Sequence, residues 1–271
     1  MQRRLVYGVG IVAIVAAIVL VATRGSSQPL AGDLALRSTE RTIDAEGKPL
    51  MIEETTQLIR PDGSRSIARL RTRLDKRSPS GWETKEVNTV YQAQINTTFD
   101  IFPVLKMFGT TPVGSSRYQP LTPNPDCGST LAGKSSTVIK RSSGTKFGRT
   151  VVAYGVTIDD PAAPIRFAME VERFPDLGCL EGNETSQLWS KADNTLLSTK
   201  TIEVLSMNVV PDNPSLFAGA PATYAEAKPS EIIKKDAEIM GKDCPACAIQ
   251  AGANLDARHD KLWADRNAGK K

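Results

Sequence analysis

The sequence predicts a mainly β protein in which an N-terminal transmembrane helix precedes an antiparallel sheet and a short C-terminal helical tail. One long uncharged run stands at residues 5–22. Between residues 50 and 210, several stretches alternate apolar and polar residues with period two, as antiparallel strands with one polar face do. Past Pro211 the pattern changes to helical spacing. The predicted units are a signal-anchor helix at 1–24, a tether at 25–36, a β domain at 37–228 and a helical tail at 229–271.

The uncharged run decides where the rest of the chain is expected to lie. Its eighteen residues would rise about 27 Å as a helix, close to the thickness of the bilayer hydrocarbon core. Arg3 and Arg4 precede it, and only Arg24 follows closely. The positive-inside rule therefore predicts a single-pass inner-membrane protein with a cytoplasmic N-terminus and a periplasmic or otherwise extracytoplasmic main domain. Secretion after signal cleavage is the alternative, although the residues after the run form a poor cleavage site.

Composition restricts the classes of partner and chemistry. The formal net charge is +4, and Arg3 and Arg4 account for two of those charges, so the exported part is near neutral. Near neutrality argues against nucleic acid as a partner. His259 is the single histidine, and the sequence contains no phosphate-binding glycine loop, dinucleotide fingerprint or Gly-x-Ser-x-Gly elbow. We expect no metal or cofactor and favour a binding or scaffold protein over an enzyme.

The first strands are predicted as a hairpin. Alternating residues at 50–58 and 67–74 flank Pro61-Asp62-Gly63-Ser64, a sequence with β-turn chemistry. The return strand places Arg69, Arg71 and Arg73 on one face. Residues 60–77 carry seven basic side chains, which is typical of a solvated strand face. Contact with anionic lipid headgroups is the alternative interpretation.

Two later stretches supply a candidate ligand-binding face. One predicted long strand carries Val87, Tyr91, Ile95 and Phe99 on one side, and another carries Ile165, Phe167, Met169 and Val171. Residues 103–147 break the alternation with five prolines, which predicts an irregular excursion with a short helix near 104–107. Further strands are predicted at 147–158, 184–189 and 196–210. Each large apolar side chain left in water forfeits about 1.5–3 kcal/mol, so a lipid, an acyl chain, a peptide or the chain's own segments must cover this face.

The tail is predicted as two helices. Ser230 precedes a helical segment that ends at Gly241. A second helix is expected from Cys244 or Cys247 to near Arg266, with Leu255, His259 and Leu262 on one thin stripe.

Four cysteines in an exported chain predict two disulfides. We pair Cys244 with Cys247 by proximity, and Cys127 with Cys179 because both stand in turn-like sequences. Cys244-Pro-Ala-Cys247 also resembles the redox site of thioredoxin-like oxidoreductases, in which a helix N-terminus activates the first thiol. A tethered thiol–disulfide oxidoreductase with Cys244 and Cys247 as catalytic residues is therefore the alternative function. Only 24 residues follow Cys247, which leaves no room for a βαβ scaffold and favours a structural disulfide.

The order of three segments resembles extracytoplasmic bacterial proteins of the periplasmic lipoprotein-carrier type. These segments are FGRTVVAYGV at 147–156, IRFAMEVERFPDLGCLEG at 165–182 and DNPSLFAGAPATYAEAKPSE at 212–231. The resemblance covers roughly residues 36–228, and its closing segment rests on Asp212, Leu216 and Phe217. It implies a curved antiparallel half-barrel whose concave apolar face can hold acyl chains, a peptide or the chain's own helices. The expected function is a membrane-tethered extracytoplasmic binding or scaffold protein.

Overall fold

The computed structural model describes residues 30–75, 80–113, 118–133, 135–240 and 245–269. Side chains are described within these ranges up to residue 239 and again from residue 253. The predicted anchor helix lies outside the described residues, and so does the first part of the predicted tether. Among the described helices, none is long and apolar enough to cross a membrane.

Twelve strands in the described part of the chain form one large, open, curved sheet. They are β1 Asp33–Asp44, β2 Pro49–Ile59, β3 Arg65–Leu74, β4 Trp82–Gln92, β5 Thr97–Phe102, β6 Met107–Pro112, β7 Ser136–Lys146, β8 Arg149–Ile158, β9 Ile165–Phe174, β10 Leu180–Ser190, β11 Leu196–Val210 and β12 Ala225–Glu226. Their spatial order is β12-β6-β5-β4-β3-β2-β1-β11-β10-β9-β8-β7. Only β12 and β6 pair in parallel. The predicted mainly antiparallel β fold is confirmed.

Strand β1 joins the two halves of the sheet, because it pairs with β2 on one side and with β11 on the other. Leu34 and Leu36 are 0% and 2% exposed and belong to the main hydrophobic cluster. The predicted tether is therefore wrong for residues 33–36. Three apolar residues before a polar stretch give too short a pattern to reveal a strand whose partner β11 lies at the far end of the domain.

The predicted hairpin of β2 and β3 is confirmed. Gly63 takes the left-handed conformation at φ 90°, and the Arg60 amide donates to the Ser64 carbonyl at 2.9 Å. The Asp62 carboxylate accepts the Ser64 amide at 2.8 Å. Proline, aspartate and glycine therefore have the turn-forming roles expected of them.

The prediction of one long strand through Val87 and Phe99 is wrong. Strand β4 ends at Gln92, and a turn in which Asn96 has φ 46° reverses the chain into β5. Ile95 lies in that turn and is 44% exposed. Phe99 pairs with Val90, so it lies on the opposite face of the sheet from Val87 and Tyr91. The turn escapes detection because neither glycine nor proline marks it, and asparagine supplies the left-handed residue.

The predicted excursion at residues 103–147 is only partly irregular. It contains β6 and β7, and the expected helix near 104–107 is instead a turn in which Lys106 has φ 52°. Residues 118–133, called here the crossing segment, run over one end of the sheet. The Leu121 amide donates to Pro61 O at 3.0 Å, and the Asn124 amide donates to Pro175 O at 2.7 Å. The crossing segment therefore links the β2–β3 turn to the β9–β10 turn.

The crossing segment lies over one face of the sheet, which we call the covered face. Strand pairing places Ile59, Arg69, Tyr91 and Val171 on it. Tyr118 of the crossing segment lies with its ring centroid 4.6 Å from that of Tyr91. The crossing segment therefore closes the end of the covered face next to the β2–β3 turn.

The tail consists of helices α1 (Pro229–Met240) and α2 (Pro245–Ala268), so the two predicted helices are confirmed. They pack mainly against each other and reach the sheet at β6. His259 Nε2 lies 2.6 Å from Thr110 O on β6, which protects an edge carbonyl of the sheet. Of the predicted stripe, His259 reaches the sheet, whereas Leu255 and Leu262 are 39% and 46% exposed.

Candidate functional site

The end of the covered face under the crossing segment is closed by hydrophobic core. Leu34, Ile59 and Phe174 are fully buried there, and Leu121 of the crossing segment packs on the same cluster. In the part of the chain that the structure describes, the opposite end, toward the β8–β9 and β10–β11 turns, is not covered in this way. It presents an apolar patch on one half of the sheet and a charged cleft on the other.

The apolar patch spans β7 to β10 on the covered face. Phe167 on β9 stands opposite Ile158 on β8 and Leu188 on β10. Ile158 and Ile165 are each 41% exposed. The patch consists of Val138, Ile158, Ile165, Phe167, Met169 and Leu188. The prediction that Ile165, Phe167, Met169 and Val171 share one face is confirmed by the uninterrupted register of β9 with β8.

The predicted disulfide between Cys127 and Cys179 is confirmed. Both cysteines are buried and pack with Tyr154 and Val171, and Met169 of the apolar patch packs against the same cluster. The disulfide therefore ties the crossing segment to the sheet at the border of the apolar patch. Val171, which the sequence placed in the candidate face, is 1% exposed under this cover.

The charged cleft lies across β2 to β5 on the covered face and has a volume of about 320 Å³. Its lining consists of Glu53, Arg69, Arg71, Arg73, Glu83, Lys85, Val87, Asp100 and Phe102. The interpretation of the β3 arginines as a solvated strand face is therefore wrong, because they point into a recess. Leu74, on the opposite face of the same strand, is instead 43% exposed. Curvature and cover, which alternation alone does not encode, decide which side of β3 is enclosed.

Two buried carboxylates organise the cations of the charged cleft. The Glu83 side chain is fully buried, with Arg73 Nη2 at 2.8 Å and Lys85 Nζ at 3.1 Å. Glu53 has Arg71 Nε at 2.5 Å and Arg69 Nε at 3.9 Å. Each buried carboxylate thus holds two cations, and this fixes the direction in which the long basic side chains point.

Helix α1 borders the charged cleft through a contact with Lys85. Asp236 Oδ2 lies 2.7 Å from Lys85 Nζ, so Lys85 bridges Glu83 and Asp236. Ile232 of α1 is 8% exposed, and it approaches the sheet over Gly109, where an added Cβ would lie 3.3 Å from Ile232 Cδ1. A glycine in β6 therefore permits the close approach of the helix.

A polar row separates the cleft from the patch. Lys200 on β11 lies 2.7 Å from Glu184 on β10, and Arg173 lies 3.2 Å from Glu181. Burial, together with a hydrogen bond to Glu184, raises the pKa of Glu181 to about 7. Burial opposes ionisation of Glu184 as well, yet its hydrogen bonds with Glu181 and Lys200 leave its pKa below the ordinary value. The pair therefore retains a shared proton up to about pH 7.

The candidate ligand-binding residues predicted from the sequence separate into two groups. The β9 residues form the apolar patch or its border, as expected. Of the other group, Val87 lines the charged cleft, Tyr91 is 2% exposed beneath Tyr118, and Ile95 and Phe99 lie off the face. The sequence interpretation missed the cleft, whose signal was the basic run over residues 60–77.

Cys244 and the side chain of Cys247 lie outside the described residues. Their predicted disulfide, and the alternative redox role, stay predictions. Within the described ranges, no three His, Cys, Asp or Glu side chains converge as metal ligands.

No protein-family model matches the sequence, and no curated protein matches it. Among solved structures, the chain is similar to LprF from Mycobacterium bovis at 11% identity and TM-score 0.31, covering 68% of this chain and 89% of that chain. A DUF1329 family protein from Desulfovibrio piger matches at 8% identity and TM-score 0.28, over 69% of this chain and 89% of its own. A domain from Vibrio parahaemolyticus, described as a putative outer membrane lipoprotein-sorting protein domain, matches at 7% identity and TM-score 0.20, over 66% of this chain and 85% of its own.

One of these names, that of the lipoprotein-sorting domain, matches the resemblance predicted from the sequence. Likeness at these scores and identities is distant and carries no information about ligand or partner. The fold and site define this chain by themselves as an open curved sheet, closed at one end of its covered face and accessible at the other.

Proposed function

We propose that this protein is a membrane-tethered extracytoplasmic binding protein that holds an acyl chain of an amphiphile on the apolar patch. The observation that carries the proposal is the patch itself, six large apolar side chains in register on the covered face. Ile158 and Ile165 keep 41% of their surface in water. Complete burial of such a side chain contributes about 1.5–3 kcal/mol, so covering the remaining 41% contributes roughly 0.6–1.2 kcal/mol, and an apolar ligand that covers several of them gains this for each.

The surroundings of the patch favour an acyl chain of an amphiphile as the occupant. The disulfide and the crossing segment border it on one side, and the polar row of Glu184 and Lys200 borders it on another. A ligand that is apolar over most of its length and polar at one end matches these surroundings, because its apolar part fits the patch and its polar end fits the polar row. Along the sheet, five strand spacings, about 24 Å, separate β10 at the patch from Lys85 on β4 at the charged cleft, so an amphiphile that reaches both needs a long acyl chain.

The test is a fluorescence titration of the purified full-length chain with cis-parinaric acid, a fatty acid that fluoresces in apolar surroundings. We expect saturable binding, weakened at least about tenfold by the double variant Ile158→Glu/Ile165→Glu, because charge in the patch opposes burial of the chain. The matched control is Leu197→Glu/Leu205→Glu, since these leucines of β11 are similarly exposed, at 41% and 48%, away from the patch. Equal binding by both double variants, or no saturable binding at all, would refute the proposal.

Tethering through residues 5–22 is part of the same proposal and rests on the length of the uncharged run. Mass analysis of protein extracted from membranes should find an N-terminus at or near Met1. A soluble mature form beginning between residues 23 and 33 would replace the tethered protein with a secreted one, and binding by the patch would be unaffected.

A further inference from the structure

Helix α1 places a carboxylate beside the charged cleft, against the lining residue Lys85. The strands contribute Arg69, Arg71, Arg73 and Lys85 against Glu53, Glu83 and Asp100, so the lining carries one more positive than negative charge. Asp236 of α1, 2.7 Å from Lys85, balances that excess. This fourth negative charge, beside the cleft, therefore comes from a separate element.

The cations nearest Asp236 are positioned for an anion. Lys85 and Arg73 share the single buried carboxylate of Glu83, and the Arg71 and Arg73 side chains keep 44% and 41% of their surface exposed. Both arginines direct Nε at a carboxylate. The planar, forked guanidinium of arginine pairs with oxyanions such as carboxylate and phosphate. Buried Glu83 thus holds two cations at the wall of an accessible recess.

The helix pair that carries Asp236 meets the sheet at its β6 edge. Helices α1 and α2 pack mainly on each other and meet the sheet at β6. Contacts such as Lys228 with Asp260 at 2.9 Å, and the Ser230 amide with Asp256 at 2.9 Å, lie within the helix pair. Loss of the Asp236–Lys85 contact would therefore leave most contacts of the pair intact.

We infer that the charged cleft is an anion subsite in which Asp236 occupies the position taken by the carboxylate or phosphate headgroup of the bound amphiphile. This inference rests on the proposed function and names the ligand class as an anionic amphiphile. The acyl chain lies on the apolar patch, and the headgroup pairs with Lys85 and Arg73 after displacing Asp236.

The experiment compares cis-parinaric acid with its methyl ester, which has the same tail and no charge, on the full-length chain. We expect the acid to bind more tightly than the ester. Lys85→Gln should weaken binding of the acid by about tenfold, because one charge-assisted hydrogen bond is lost, and should leave binding of the ester unchanged. Asp236→Asn should strengthen binding of the acid and not of the ester, and misfolding cannot produce such a gain. The control is Asp260→Asn, which removes an exposed ion pair within the helix pair and should change neither ligand.

Equal affinity for acid and ester, unaltered by Lys85→Gln and Asp236→Asn, would overturn the headgroup subsite and leave acyl-chain binding standing. Binding of neither ligand would refute the proposed function itself. Displacement of the acid by inorganic phosphate at matched concentration would identify the cleft as a site for a free anion and overturn the headgroup assignment.

Discussion

Cys127 and Cys179 are joined by a disulfide that ties the crossing segment to the turn after β9, 52 residues along the chain. Gly178 beside it has φ 66°, and a Cβ there would meet Pro120 O at 2.3 Å. The disulfide and this close approach hold the crossing segment against the sheet. The closed end of the covered face therefore depends on a covalent link as well as on hydrophobic packing.

The double variant Cys127→Ala/Cys179→Ala is expected to lose about 4 kcal/mol of unfolding free energy, because the link restricts the unfolded chain over 52 residues. Denaturant titration of both proteins measures this. The crossing segment should also exchange amide hydrogens faster. A loss below about 1 kcal/mol would show that packing alone holds the crossing segment.

The pH dependence of stability should include a contribution from Glu181, whose pKa in the folded protein is raised to about 7. A carboxyl with a raised folded pKa binds its proton more tightly in the folded state than in the unfolded state. Its contribution is therefore fully present below the ordinary pKa of about 4.5 and is lost as pH rises through about 7. Because 41% of the Glu181 side chain is accessible, water moderates the size of the effect.

Glu181→Gln mimics the protonated form of Glu181. It should therefore remove the part of the decline in stability between pH 5 and 8 that Glu181 causes, and thermal unfolding across that range measures this. Glu170→Gln, at an exposed position on the opposite face of β9, is the control and should keep the decline. An identical pH profile for wild type and Glu181→Gln would contradict the shared proton with Glu184.

The closing segment identified in the sequence, which begins at Asp212, packs on strands β1 and β2 through a set of contacts that we call the lock. Arg60 Nη2 contacts both oxygens of Asp212 at 2.8 and 2.9 Å, and its guanidinium carbon lies 5.1 Å from the centroid of the Phe217 ring. Phe217 is buried with Ala35 and Leu58. Phe217→Ala should cost about 3 kcal/mol of unfolding free energy. Leu262→Ala, at an exposed position, should cost about 0.5 kcal/mol or less, and similar values for the two would contradict the lock.

Gly109→Val is expected to push α1 off the sheet, since an added Cβ would already lie 3.3 Å from Ile232 Cδ1. Amide exchange in α1 should accelerate. Gly144→Val on β7 is the control, because nothing lies within 4 Å of its added Cβ. Unchanged exchange in α1 for Gly109→Val would mean that the helix does not depend on this contact.

Local chemistry made much of the fold predictable. Residues 61–64 contain the turn residues that their hairpin requires, and β9 and β11 match the predicted alternation. Asn96 shows the limit, because a left-handed asparagine forms a turn inside an uninterrupted alternating pattern. Strand β1 was missed because its stability comes from β11 and β2 rather than from its own sequence.

The candidate site was predictable only where a single strand determines it. The β9 residues of the apolar patch alternate regularly, so their common face follows from period two. The charged cleft needs Glu53, Glu83 and Asp236 from three elements around the β3 arginines. No pattern along one segment reveals which cations a distant carboxylate will orient, so the same arginines suggested a solvated strand.

Photo-crosslinking tests acyl-chain binding on the apolar patch most directly. The full-length chain is irradiated with a diazirine-bearing fatty acid, with and without excess parinaric acid, and labelled tryptic peptides are identified by mass spectrometry. Residues 150–166 contain Ile158 and Ile165, and residues 167–173 contain Phe167 and Met169. We predict that these two peptides carry the label that parinaric acid suppresses. Suppressible label elsewhere, for example around exposed Leu255 and Leu262, with none in these peptides, would contradict the assignment of the patch.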